Sequence, residues 1–242
     1  MSSRHAAPRR RFRHLAPRIL LLLSGMFLAS VGIALTTVAG LGTTPISTVP
    51  YTGAAITGLT FGTCVVILNF AYVAGQIAIL RRRYSPLNLL QIPIGFVFGA
   101  FIDLSILFAR PIAPEGWWTG ALFSIVGNVI LALGTVMQIR SKTLVQPGEG
   151  FVIAAAALAR KSFGTMKIVN DLSLTGLAAL MGIVFLGEIH AIREGTLASA
   201  VLIGLFAKWI DHGLTRLFPK EAPPVQEEPR EVPLEESGSP RN

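Results

Sequence analysis

Apolar runs of about twenty residues alternate along this chain with short basic or Gly/Pro-rich breaks, and that alternation predicts its elements. The first run is Ile19 to Gly40. Phe61 to Leu80, Asn88 to Ala109, Thr119 to Ile139, Lys167 to Leu186 and Thr196 to Arg216 follow. At ~1.5 Å per residue each can cross a ~30 Å hydrocarbon core as a helix. Pro93 falls within the third run and is expected to kink it. Gly95-Phe-Val-Phe-Gly99 in the same run has the small-xxx-small spacing that lets helices approach closely in lipid. Trp117 and Trp118 suit a membrane interface.

Two stretches break the pattern. Leu41 to Thr60 is uncharged yet interrupted by Gly42, Pro45, Pro50, Gly53 and Gly58. A helix from about Ser47 to Thr57 would be roughly 16 Å long, half a span. Irregular backbone at membrane depth needs protein or a water-lined cavity around it. A re-entrant hairpin meets that need better than a polar loop with a surface helix. The second stretch, Lys142 to Lys161, contains Gln146-Pro147-Gly148-Glu149-Gly150 and then an Ala-rich helix through Ala159.

These stretches are related. Phe163-Gly164-Thr165 repeats Phe61-Gly62-Thr63 at an offset of 102 residues. At that offset Gly25 matches Gly127, Gly32 matches Gly134, Pro45 matches Pro147, and Ala54-Ala55 matches Ala156-Ala157. Asn69 matches Asp171. The expected organisation is a basic cytoplasmic arm (1–17), a first membrane repeat (18–109), an external loop (110–118), a second repeat (119–217), and an acidic, Pro-rich cytoplasmic tail expected to be disordered (218–242).

Charge sets the orientation. Of 242 residues, 52% are hydrophobic and only 14% charged, well below the ~25% of soluble domains. The net charge of +8 could suggest nucleic acid, but basic loops are also what orient spans in a bilayer. With six spans and the arginine-rich N-terminus inside, 18 of the 21 Lys/Arg face the cytoplasm. Full crossing by the broken stretches would make eight spans and place Arg81 to Arg83 outside, against the positive-inside rule. Three spans per copy invert the second copy relative to the first. The fold expected is an all-α integral membrane protein: six transmembrane helices as two inverted 3+3 repeats, each with a short broken re-entrant half-helix. A single cysteine, Cys64, excludes an internal disulfide.

The ordered motifs Gly40-Leu41-Gly42-Thr43-Thr44-Pro45, Leu59-Thr60-Phe61-Gly62-Thr63, Leu90-Gln91-Ile92-Pro93, Phe101-Ile102-Asp103-Leu104 and Glu194-Gly195-Thr196-Leu197 bring in a family. Across about residues 18–217 the chain resembles the YczE/YyaS/YitT group of bacterial membrane proteins, its YczE-like branch in particular. The resemblance implies a multi-pass protein of the bacterial inner membrane and supplies no substrate. Many members of the group carry an acidic residue shortly after the Leu-Gly-x-x-Pro proline; Ser47 stands near that place here.

Ionisable groups at membrane depth are costly and read first as functional. Asp103, Asp211, Asn69, Asp171, Glu149 and Ser47 are the candidate substrate- or ion-binding residues. Gly42, Pro45, Gly62, Pro147, Gly148 and Gly164 mark the re-entrant and hinge motifs. Asp211 has Lys208 at (i, i+3), and Asp171 has Lys167 at (i, i+4), so either can be locally satisfied. Asp103 has no local partner and leads the set. Asn69 is expected to bond a neighbouring helix, and Glu149 either caps its half-helix or meets a ligand. Zinc-protease, phosphate-loop and nucleophile-elbow motifs are missing, so neither enzyme, cofactor nor metal site is expected. The leading function is a small-solute transporter working by alternating access between the repeats. The alternative is a non-transporting assembly or scaffold protein that contacts a partner through its termini. The implied partners are the lipid bilayer, an unidentified small solute or ion, and further copies of the chain in a homo-oligomer; nucleic acid is not among them.

Overall fold

Caps and prolines delimit the helices. The computed structural model describes residues 15–217. The acidic tail, and all of the basic arm but its last three residues, lie outside the described residues. Among the described residues eight α-helices follow one another: α1 (Leu15–Val38), α2 (Thr48–Thr57), α3 (Phe61–Leu80), α4 (Gln91–Ala109), α5 (Trp117–Ser141), α6 (Pro147–Ala159), α7 (Phe163–Leu186) and α8 (Glu194–Leu217). Six of them are long and apolar enough to cross a membrane, and α2 and α6 are the short ones.

The short helices share their local chemistry. Each opens on a proline, Pro45 in a single 3-10 turn ahead of α2 and Pro147 at the start of α6. Proline suits that place because the first turn has no acceptor for its missing amide hydrogen. Each ends in a left-handed residue, Gly58 (φ +73°) and Arg160 (φ +52°). A hydroxyl then starts the next helix. Thr60 Oγ accepts the Thr63 amide and Ser162 Oγ the Thr165 amide, both at 3.1 Å. Such a cap contributes about 1 kcal/mol.

Pro93 sits in the first turn of α4, directly after a 3-10 helix over Pro86–Leu90. Two expectations need correction. The fifth span begins at Phe163 rather than Lys167, because Ser162 caps it there. The first begins at Leu15 rather than Ile19.

Packing is centred on α1 and α5, which lie antiparallel. A Cβ on Gly25 would lie 2.8 Å from the Gly134 carbonyl oxygen, and one on Gly134 would lie 2.5 Å from that of Gly25. Gly32 and Gly127 face each other in the same way, at 2.6 and 2.9 Å. Backbone contact this close is available only to glycine and compensates for the lack of a hydrophobic drive between helices in lipid. Helix α4 packs on α1, where Ser30 and Ser105 share a 2.9 Å hydrogen bond. Helix α8 packs on α5, where Asn128 Nδ2 donates to Ser199 Oγ at 3.0 Å. Both short helices pack against both α3 and α7.

The two outer pairs differ. Helix α3 lies tightly on α4: Gly62 and Gly99 are so close that a Cβ on either would collide with the other's backbone. Helix α7 packs on α2 and α6 and stands apart from α8 along nearly its whole length. A Cβ on Gly164 or Gly204 would meet nothing within 4 Å.

Candidate functional site

The separation of α7 from α8 opens a cavity of about 670 Å³. Its blind end is an apolar cluster of Ala29, Ile33, Val65, Ile102 and Leu131, which Phe61 continues toward α2. From there the cavity runs along α5 to Lys142 and Val145, both exposed at its mouth. The exposed lining thus lies at the basic end of the bundle, with Arg140, Lys142 and the Arg160–Lys161 turn, and also between α7 and α8 at Ala200 and Gly204. At the opposite end Arg193 donates to the Gly40 carbonyl at 2.7 Å, and Trp117 Nε1 donates to Glu194 at 3.0 Å.

Four of the six predicted site residues line this cavity. Ser47 is buried beside it and accepts the Thr44 hydroxyl at 2.8 Å. Asn69 projects from α3 against Gly95 of α4, and makes no hydrogen bond among the described residues, against the expectation of a partner helix. Asp171 takes both its oxygens to the Lys167 ammonium, at 2.5 and 2.6 Å. Glu149 is half-buried in the first turn of α6 and makes no hydrogen bond or ion pair among the described residues. It is thus not acting as a side-chain cap. Pro45 and Gly148 line the same space, where Ile46 and Tyr72 crowd Gly148.

The two remaining acids are structural in this arrangement. Asp103 does have partners: Oδ1 accepts the Gly62 amide at 2.7 Å and Oδ2 accepts the Thr60 hydroxyl at 2.6 Å. Its carboxylate thus closes the N-terminal turn of α3, where a negative charge also meets the helix dipole favourably. Asp211 pairs with Arg140 of α5 at 2.9 Å, across helices. Arg140 adds the Asp211 carbonyl and the Thr215 hydroxyl, at 2.7 and 2.6 Å, and so ties α5 to the end of α8. Of the hinge glycines, Gly42 takes φ +92° and its Cα faces Thr196 and the Arg193 amide.

Several polar pairings in and around the cavity were not legible in the sequence. Tyr72 and Asn170 hydrogen-bond each other at 3.3 Å across α3 and α7, though 98 residues apart. Gln76 holds the Pro147 carbonyl at 2.9 Å and Gln91 at 3.1 Å, and Gln146 bonds Gln138. Of these bonds only that of Gln76 reaches backbone, at the first carbonyl of α6, and the others join side-chain amides to one another. Polar residues in an apolar helix could be flagged, but not paired, from the sequence.

A model of a family of unknown function, DUF6198, matches residues 16–212. No curated protein and no solved structure matches the chain.

Proposed function

The chain belongs to that family of unknown function, DUF6198, and on this premise we propose that it is a non-enzymatic small-solute transporter of the bacterial inner membrane. It works by alternating access between two inverted repeats, with both termini in the cytoplasm. The likeness to the YczE/YyaS/YitT group, a reading of motifs, is compatible with this.

Reciprocal contacts support the inversion. Gly25 and Gly127 match in sequence, as do Gly32 and Gly134, yet Gly25 meets Gly134 and Gly32 meets Gly127. Residue i meeting j′ while j meets i′ is the signature of a two-fold axis. An axis in the membrane plane makes the two halves antiparallel. The short helices fit the same axis, with α2 and α6 each held between α3 and α7. Read this way, they are re-entrant half-helices entering from opposite faces.

One observation carries the function. Equivalent seams are in different states: α3–α4 is sealed and α7–α8 is open. Two halves related by inversion but caught in different conformations give a site open to one face only. Exchanging the two conformations would open it to the other. By charge, the open face is the cytoplasmic one.

Single cysteines in a Cys64→Ser chain test this. Ile203→Cys reports the cavity, Lys142→Cys the basic face and Trp118→Cys the opposite face. An impermeant maleimide should label Lys142→Cys from the cytoplasm alone and Trp118→Cys from outside alone. Ile203→Cys should react quickly from the cytoplasm and slowly from outside, as the minor state is visited. Reaction from one side only, with both reporters behaving, would remove alternating access and favour the assembly role.

A further inference from the structure

The cavity's size argues against a bare ion as its occupant. At ~30 Å³ per water, 670 Å³ would leave some twenty waters against largely aliphatic walls beside an ion. Organic ligands occupy cavities of ~300–1,000 Å³ with apolar linings and a few placed polar groups. Those groups define the ligand's charge here. Four charged side chains line the space: Glu149, Asp171, Lys167 and Lys142. Lys142 is exposed at the mouth. Lys167 is held by both oxygens of Asp171, which leaves that pair neutral. Glu149 is the remaining charge, and nothing among the described residues bonds it. Its first-turn position on α6 provides a dipole interaction of about 0.3–1 kcal/mol. That is small beside the cost of a carboxylate in an apolar wall whose nearby cation, Lys167, is already held by Asp171. Tyr72, Phe98 and Phe163 add aromatic faces, which attract cations.

We propose that this cavity binds an amphipathic organic cation, an apolar body bearing one amine or onium group, with Glu149 as its counter-charge. The proposal rests on the transporter reading for what binding accomplishes, but not for the binding itself. The apolar body lies against Ile33, Val65, Leu131 and Ile203, and the cationic group sits between Glu149 and the Tyr72 ring.

The test uses tetraphenylphosphonium and tetraphenylborate, ions of one shape and opposite charge, titrated calorimetrically into the full chain in a neutral detergent. The phosphonium should bind and raise the unfolding temperature, and the borate should do neither. Glu149→Gln should weaken phosphonium binding about tenfold or more, and Glu149→Asp should restore most of it. Equal binding of both ions, no phosphonium binding, or unchanged binding in a folded Glu149→Gln chain would overturn the proposal. The wild-type comparison decides even where a variant does not fold. Two-sided labelling of Ile203→Cys without phosphonium binding would sink the cation class alone. Phosphonium binding with one-sided labelling would keep the site and remove the transport cycle.

Discussion

At the scale of single residues, a carboxylate's position along the chain says less than what surrounds it. Asp103 stood out as an acid in an apolar run with no neighbour of opposite charge. Its partners are a hydroxyl and an amide hydrogen some forty residues earlier, at Thr60 and Gly62. No periodicity rule connects a mid-helix acid to another helix's cap. Asp171 was legible because its partner is one turn away on the same helix face. Asp103→Ala removes the acceptor of two hydrogen bonds to a charged group, each contributing about 1.5–3 kcal/mol. Thermal unfolding in detergent should show a clear loss of stability, with Asp103→Asn losing less because its amide oxygen still accepts. Wild-type stability in the alanine variant would mean that Asp103 does not hold the α3–α4 seam.

At the scale of elements, what the sequence conveyed well was local. Phe61–Leu80 matched at both ends because a capping threonine precedes it and an arginine run follows. The fifth span, read from Lys167, begins four residues earlier at Phe163, where Ser162 carries the same cap signal as Thr60. The glycines Gly25, Gly32, Gly127 and Gly134 were visible as a repeat, but not as the two sides of one seam. Their role separates sharply from that of glycines on open helix faces such as Gly204. A Cβ on Gly32 would lie 2.5 Å from the Leu131 amide nitrogen, against backbone that cannot give way. Gly32→Val should therefore cost several kcal/mol or prevent folding, within the range of overpacking and strain. Gly204→Ala, on an open helix face, should stay within about 0.5 kcal/mol of wild type or gain slightly from helix propensity. Denaturant or thermal unfolding of the two side by side checks this, and similar losses for both would mean that the α1–α5 contact is not the tight one.

At the scale of the molecule, the difference between the halves makes a demand that neither half makes alone. If the second half takes up the conformation of the first, α7 must close on α8 as α3 closes on α4. Gly164 occupies the place in that seam which Gly62 holds in the first, where a side chain collides with the facing helix. In the present state Gly164 meets nothing, so a side chain there has room. Gly164→Leu should thus fold normally and be no less stable, since it adds apolar surface facing an open space. It should nonetheless be unable to close the α7–α8 seam. Labelling of Ile203→Cys from the outer face should fall at least tenfold in this background, while labelling from the cytoplasmic face persists or rises. A substitution that leaves one state intact and removes the other cannot act through general destabilisation, because destabilisation would alter both. If outer labelling survives Gly164→Leu unchanged, the α7–α8 seam does not close during the cycle, and the open cavity is a fixed feature of the fold rather than one half of an exchange.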